Sequence, residues 1–461
     1  EEPYVAVVYS DYLHLVCSGC FHEDTILLIR NCKENPPKAC RGCHKVYYCG
    51  AQCQKNDWKL HKAECKFLSA ASEVPLDLVR MIARLLIRRQ RGDHDNFTAF
   101  NGRTFDDLMD HRSEFDSLDA NNRFDTVFED TKNYVTSDYM VDKEEILRYA
   151  GKILVNQFAI SGPADTSIGN GLYIGCSVFD HSCQPDLTRR SIGSKIILRT
   201  QNKDQTLDGI DKLTVSYISS LSCTEEWRKL LRSNPYFFHC ECRKCEDTEQ
   251  DGYARSIKCT NPSCVDGLCI VKYDSTSLSC IKCAATSNVT VEEAHNWNAD
   301  LIRVEDSGIE EVEVLTDLYN NMAPKLSRRN IHLANLSFRL CTLHKEESEF
   351  VVAAKYAQAC EEALMSLTTL GMAERTATLE VLTQVAFLTE ETSPNTLRLL
   401  AMWERAVLAS NGPEDVAKET RDEATLEMYF KIKFILKDCE TAIEKAQADS
   451  DEYETDDEEE N

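Results

Sequence analysis

The chain has 461 residues, 43% of them apolar, enough for roughly two or three domains with real cores. With 77 acidic against 52 basic residues its formal charge is −25, which disfavours non-specific nucleic-acid binding and favours basic partners such as lysine-rich protein tails. No stretch approaches the ~20 apolar residues of a membrane span, and the 22 cysteines follow no signal peptide, so metal ligation in a reducing compartment is expected rather than a disulfide framework.

Residues 4–16, rich in Val and Tyr, predict a strand. A cysteine cluster follows, and residues 73–158 then read as mostly helical, with Leu76, Val79, Ile82, Leu85 and Leu86 at helical spacing and Ile146, Tyr149, Ile153 and Leu154 repeating it. The basic run Arg84, Arg88, Arg89 and Arg91 predicts a solvated helix face rather than a nucleic-acid contact. Strand and turn character returns over 168–220, where Gly169, Gly171 and Gly175 punctuate Leu172–Ile174. Ile196–Leu198 and Leu213, Val215 and Tyr217 are short strand candidates. Residues 239–290 are cysteine-rich and loop-like. From 291 to 448 the pattern is helical, with breaks near Pro324, Gly371, Pro394 and Gly412–Pro413. Phe350–Leu367 alternates small and large apolar residues as stacked helical hairpins do. The tail from Asp449, with nine acidic residues among thirteen, is expected to be disordered.

Between Cys17 and Cys65 lie seven cysteines and one histidine in four short pairs: Cys17 and Cys20, Cys40 and Cys43, Cys49 and Cys53, His61 and Cys65. Zinc takes four such ligands tetrahedrally, so eight fill two closed sites. The string from Cys40 to Cys65 resembles a MYND zinc finger. The resemblance implies interleaved pairing, with Cys17, Cys20, Cys49 and Cys53 on one ion and Cys40, Cys43, His61 and Cys65 on the other. His22 and Cys32, inside the long gap, read as bystanders, and Trp58 as core. With every coordination position closed, such a finger stabilises a module and offers a peptide-binding surface but performs no chemistry.

Farther along come Asp180-His181-Ser182-Cys183, then Leu213–Tyr217, then Tyr236-Phe237-Phe238-His239-Cys240-Glu241-Cys242-Arg243-Lys244-Cys245. In order and spacing these blocks resemble the SET- and MYND-domain (SMYD-type) protein lysine methyltransferases. The resemblance implies an α+β fold, a SET-type β fold interrupted by the finger and a helical insert. A cysteine-rich post-SET region and an all-α, TPR-like C-terminal domain would follow. The corresponding boundaries are a strand segment at 1–16, the finger at 17–65, the insert at 66–150, the SET core at 151–238, the post-SET region at 239–290, the helical domain at 291–448 and the tail at 449–461. It further implies a third zinc on Cys183, Cys240, Cys242 and Cys245. S-adenosylmethionine contacts would come from Asn156, Ser177, Asp180, His181 and Phe238, and a methyl-transfer channel would be lined by Tyr217 and Tyr236. Cys259, Cys264, Cys280 and Cys283 resemble a zinc ribbon and add a fourth candidate site. Cys269 is a spare, while Cys176, Cys223, Cys341, Cys360 and Cys439 read as core residues.

The chemistry can be argued without the family. A lysine amine has a solution pKa of ~10.4 and must lose its proton before attacking a methyl group, and a narrow aromatic channel favours the neutral amine by desolvation. Positioning then supplies most of the rate. Two features depart from the pattern. Asp180 and Asp186 stand where the family has asparagines, and a carboxylate only accepts hydrogen bonds. The glycine-rich cofactor loop that would precede Tyr4 is not in the sequence, and were Glu1 the true start, an unpaired edge and a half-open pocket would be expected. The expected function is protein-lysine N-methyl transfer from S-adenosylmethionine to a histone tail or another lysine-bearing protein, in nucleus and cytoplasm. The alternative is a catalytically weak or inactive SET/MYND scaffold that holds partner peptides. Direct DNA binding and membrane insertion are not expected.

Overall fold

A computed structural model describes residues 1–21, 36–93, 98–118, 123–162, 167–200, 209, 212–218, 225–232, 235–272, 274–367, 379–383, 385–386, 394–411, 433 and 437. The acidic tail, His22, Cys32, Cys223, Gly371, Gly412–Pro413 and Cys439 lie outside them. The architecture mixes helix and strand. No helix among the described residues is long and apolar enough to cross a membrane.

Strand β1 covers Val5–Val8 only, shorter than the composition predicts. The chain leaves it through a 3-10 turn at Ser10–Tyr12, because Cys17 and Cys20 must swing round to meet Cys49 and Cys53. The finger adds the two-residue strands β2 (Lys38–Ala39) and β3 (Tyr47–Tyr48) and helix α1 (Ala51–Ala70). Next come α2 (Asp77–Gln90), α3 (Arg112–Leu118), α4 (Arg123–Tyr134) and α5 (Lys143–Asn156), the last opened by Asp142, whose carboxylate accepts from the Glu145 N–H. Helical character therefore ends at Asn156, where Gln157 begins β4 (Gln157–Ser161). β5 (Ser167–Leu172) pairs antiparallel with both β4 and β1, giving the order β1-β5-β4.

Beyond the sheet, β6 (Asp180–His181) runs parallel to β9 (Thr214–Val215), and β7 (Leu187–Ile192) forms a hairpin with β8 (Lys195–Thr200). Three short helices follow, α6 (Glu225–Arg232), α7 (Arg243–Glu246) and α8 (Thr248–Ala254), then the small pair β10 (Ile257–Lys258) and β11 (Leu268–Cys269). The C-terminal helices are α9 (Val291–Ser307), α10 (Val312–Met322), α11 (Ile331–Glu346), α12 (Phe350–Leu367) and α13 (Pro394–Asn411). α10 stops just before Pro324, as that residue's fixed φ and missing N–H require.

Two features of the core matter for the site. The finger shares one apolar core with the sheet and insert: Val16, Cys43, Val46 and Leu68 pack in the same cluster as Val5–Val8, Ile82, Leu86, Ile146 and Ile168. At ~1.5–3 kcal/mol per fully buried large side chain, that shared core welds the finger to the sheet. A separate core joins the β10–β11 region to the helices, with Ile257, Val271 and Leu278 packed on Ala294, Leu301, Leu315 and Leu340.

Candidate metal centres and active-site residues

The structure gathers four sets of four ligand atoms, each set within 4.8 Å: Cys17, Cys20, Cys49 and Cys53; Cys40, Cys43, His61 and Cys65; Cys183, Cys240, Cys242 and Cys245; Cys259, Cys264, Cys280 and Cys283. These are the four sets expected from the sequence, including the interleaved pairing of the finger. Thiolates sharing one zinc at ~2.3 Å stand roughly 3.8 Å apart at tetrahedral corners. Cys20–Cys49 and Cys40–Cys65 are both at 3.8 Å, Cys183–Cys245 at 3.6 Å, Cys259–Cys283 at 3.7 Å and Cys264–Cys280 at 3.8 Å. A disulfide would need ~2.05 Å, so these contacts are ligand cages rather than bonds in waiting.

Thiol acidity fits the same ion. Burial opposes ionisation of Cys40, yet the backbone N–H groups of Cys43 and Gly42, with His61, bring it down to about 6. Cys65 is pushed up to about 12 by burial and by charge on Cys43 and Cys40. One thiolate forms readily in such a cluster and the others repel it, so a divalent cation is what lets all ionise together. The cages suit zinc, and none keeps an open position for substrate.

The His61 site is supported from behind. His61 aims Nε2 at Cys40 Sγ (3.4 Å) and Cys43 Sγ (3.7 Å), while Nδ1 faces the Glu64 carboxylate at 3.5 Å. This outer carboxylate orients the ring and selects its tautomer. Glu64 is fully buried and accepts from Arg84 Nε (3.0 Å) and Nη2 (2.7 Å), with Arg80 Nε at 3.6 Å from its other oxygen. Burial alone would raise its pKa, but Arg84, His61 and Arg80 hold it well below the usual carboxylate range. Arg80 also donates from Nη1 to the Val8 carbonyl (2.9 Å), and Arg84 reaches Asp57, which accepts from the Tyr48 hydroxyl (2.7 Å).

Two readings of the sequence change here. The basic run is a solvated face only at its end: Arg84 is 4% exposed and ion-paired within the protein and Arg88 lies over the Tyr4 ring at 4.3 Å, whereas Arg89, paired with Glu145, and Arg91, just past α2, are exposed. Glu64 and Asp57 sit a whole finger helix away in sequence, so the run by itself could not reveal its partners. Trp58, read as core, is 42% exposed on α1, because His61 and Cys65 claim the inward face of that helix.

At the third cage, sequence-distant residues meet. Cys183 ends the turn after β6, and His181 Nε2 lies 3.2 Å from its sulfur. His181 Nδ1 accepts from the Tyr217 N–H at 3.0 Å, so the proton belongs on Nε2; burial pushes the imidazole down to about 4 and keeps it neutral. The Tyr217 ring stands 5.1 Å from Tyr236, 5.3 Å from His181 and 6.2 Å from Phe238, and His181 to Phe238 is 5.8 Å. The Tyr217 hydroxyl donates to the Phe179 carbonyl (2.7 Å), and its pKa is raised by burial first, then by Asp180 and Tyr236, with Arg103 opposing. Burial also raises Tyr236, so both phenols stay protonated at neutral pH.

Asn156, at the end of α5, donates its amide to the Met109 and Lys152 carbonyls (2.8 Å each), and no described residue donates to its side-chain oxygen. Ser177 Oγ donates to the Ile174 carbonyl at 2.7 Å. Asp180 is exposed. Asp186 uses its carboxylate to accept from Thr214 N (3.0 Å) and Oγ1 (2.8 Å), an acceptor-only role that a carboxylate fills as well as an amide. One contributor gave no sequence signal: Phe237 adopts φ 56° and packs on His111 (5.4 Å) and Phe115 (5.2 Å), which turns Tyr236 and Phe238 toward Tyr217. Cys176, Cys269, Cys341 and Cys360 are buried.

The MYND finger family model matches residues 30–65 and so takes in all the finger ligands except Cys17 and Cys20, which the structure supplies. The chain is similar to the histone-lysine N-methyltransferase ASHR1 of Arabidopsis thaliana, 27% identical over 61% of this chain and 58% of the relative. It is similar to SET domain-containing protein 14 of Caenorhabditis elegans, 25% identical over 80% of this chain and 79% of that protein. Against the human histone-lysine N-methyltransferase SMYD1 it is 25% identical over 56% of this chain and 52% of the relative. The match thus spans little more than half of the first and third of these proteins. Finger, thiolate cages and relatives together make the chain similar to the SMYD-type proteins with SET and MYND domains.

Proposed function

We propose that the chain is a protein-lysine N-methyltransferase that uses S-adenosylmethionine and acts on a histone tail or another basic, lysine-bearing segment. The observation that carries this reading is the convergence of His181, Tyr217, Tyr236 and Phe238 in one ring cluster beside the third cage. Similarity to histone-lysine and N-lysine methyltransferases supports it. Phe238 offers a ring for a flat base, Asn156 an unclaimed carbonyl oxygen and Asp180 an exposed carboxylate, which together suit the cofactor. When bound, the cofactor supplies an electrophilic methyl group on sulfur.

The chain's own residues do the rest. The Tyr217 hydroxyl is committed as a donor to Phe179, which leaves its oxygen to accept from a lysine amine N–H. Tyr217 and Tyr236 remain uncharged, so they orient the nitrogen and exclude water without acting as bases. Burial against these rings favours the neutral amine that must attack. In this reading residues 151–238 form the SET core, the helices after Val291 a TPR-like array beside it, the finger surface takes peptide partners, and the protein works in nucleus and cytoplasm, a placement that cell fractionation checks.

The test is methyl transfer from radiolabelled cofactor onto a histone and protein panel, with Tyr217→Phe as control. Labelling by the wild type and a fall of about 10²-fold or more in the variant is expected; absence of labelling across the panel overturns the proposal in favour of a peptide-binding scaffold. The Asp186 departure does not favour that scaffold, since the Thr214 contacts account for it.

A further inference from the structure

We propose that His111 and Phe237 are positioning residues: the helical insert, through His111, holds the Tyr236–Phe238 strap against Tyr217 and so sets the gap that receives the target lysine. This rests on reading the ring cluster as a methyl-transfer site.

Seven described residues other than glycine adopt φ between 45° and 64°. A side chain in this left-handed region costs free energy, so each calls for a structural reason. Five have a local one. Phe21, His44 and Ala284 each follow the second cysteine of a short pair and donate their N–H to the carbonyl of the first, Cys17, Cys40 and Cys280, at 2.8–2.9 Å. Asp266 lies in the turn just after Cys264, on the other arm of the ribbon cage. Ser348 follows α11, with its N–H on the Lys345 carbonyl at 3.0 Å. His111 (φ 45°) and Phe237 (φ 56°) close no cysteine pair and end no helix. Far apart in the chain, they touch each other, ring on ring at 5.4 Å. Two such residues in mutual contact mark a junction that the fold holds from both sides.

The insert side is rigid. The Phe115 N–H donates to the His111 carbonyl (3.0 Å) in the first turn of α3. The Phe115 ring is 1% exposed and packs on Phe237 at 5.2 Å and on Phe124 of α4 at 4.9 Å. The preceding Asp110 carbonyl presses on α5 where only glycine fits, since a Cβ on Gly151 would lie 2.3 Å from that oxygen. On the strap side, the Phe238 N–H donates to the Leu231 carbonyl of α6 at 2.7 Å. Phe237 thus packs on the core that holds Phe115 and Phe124, whereas Tyr217 packs on a different one, with Phe179, Leu213 and Val215. The 5.1 Å between the Tyr217 and Tyr236 rings is therefore decided where the insert seats the strap. Methyl transfer needs the amine in line with the methyl group, and a displacement of about 1 Å can cost ~10²-fold in rate.

The test uses the full chain and the substrate that the wild type labels best. His111→Ala and Phe237→Gly should each lower kcat about tenfold or more, with zinc content and melting temperature close to wild type. Glycine accepts φ 56°, and His111 is only half-buried. His111→Phe, which keeps a ring against Phe237, should restore most of the rate. Crystal structures of the two ring-deleted variants should show Tyr236 shifted away from Tyr217. Wild-type kcat, a change confined to KM, a rate lost only together with zinc or the melt, or an unmoved Tyr236 overturns the assignment and leaves the methyl-transfer reading intact. A wild type that labels nothing removes that reading instead, and a shifted Tyr236 in the variants would still support the insert's hold on the strap.

Discussion

The His61 cage and the ribbon cage, Cys259, Cys264, Cys280 and Cys283, hold the same number of donors in opposite surroundings. The first is buried on all four ligands and braced by Glu64, Arg80 and Arg84, which tie it to β1 and α2. In the second, Cys283 is exposed and only Cys280 is buried, and Val265 and Ile281, beside two of its ligands, are 70% and 53% exposed. The lesson is that donor type and geometry set which ion binds, while the surroundings set how much of the fold depends on it. In the finger, losing zinc would strand charges inside a shared core; in the ribbon it would loosen a surface loop.

Mutations can break or sharpen that contrast. The largest effect is expected from His61→Ala, because structural zinc in finger peptides binds with apparent free energies of ~10–16 kcal/mol. Metal analysis should show one zinc lost, and calorimetry the collapse of the cooperative melt. A normal melt would break the comparison. Glu64→Ala comes next, at about 3–5 kcal/mol in denaturant unfolding, since it leaves Arg80 and Arg84 buried without their shared partner.

A chelator gives a third test. The ribbon zinc should leave before the finger zinc, with a smaller shift in melting temperature, and the reverse order would contradict the role given to burial. Gly267→Ala sharpens this, because a Cβ there would lie 2.4 Å from Cys264 Sγ and 2.8 Å from Cys280 Sγ, so the variant should lack only the ribbon zinc. The smallest effect is expected for Trp58→Ala, within ~1 kcal/mol on unfolding, given its exposure. A loss several times larger would restore Trp58 to the core.

The sixteen cage residues were legible in the sequence in two steps: spacing marked out the short pairs, and the family resemblance said which distant ones join, as Cys183 joins Cys240, Cys242 and Cys245. The aromatic cluster was legible for a different reason: the resemblance singled out Tyr217, Tyr236 and Phe238, and the structure brings their rings together beside the third cage. Composition misjudged the length of the first strand, since the Val and Tyr that favour a strand continue past Val8 into the 3-10 turn at Ser10–Tyr12.

By itself, then, the sequence determined which short pairs of cysteine and histidine can serve as ligands, and its resemblance to a family suggested which aromatic residues to group. Only the tertiary structure decided what surrounds them: that Arg84 turns inward to Glu64, that Trp58 turns out, that Asp186 is occupied by Thr214, and that Asn101 ties the Ala99–Arg103 turn to Gly175. The physical reason is range. Each arm of a zinc cage is a pair or triplet of residues a few positions apart whose donor type alone suits the ion, so the arms are legible locally. A buried charge or a cleft wall is defined by partners dozens of positions away, and the spacing around a single residue carries no record of them.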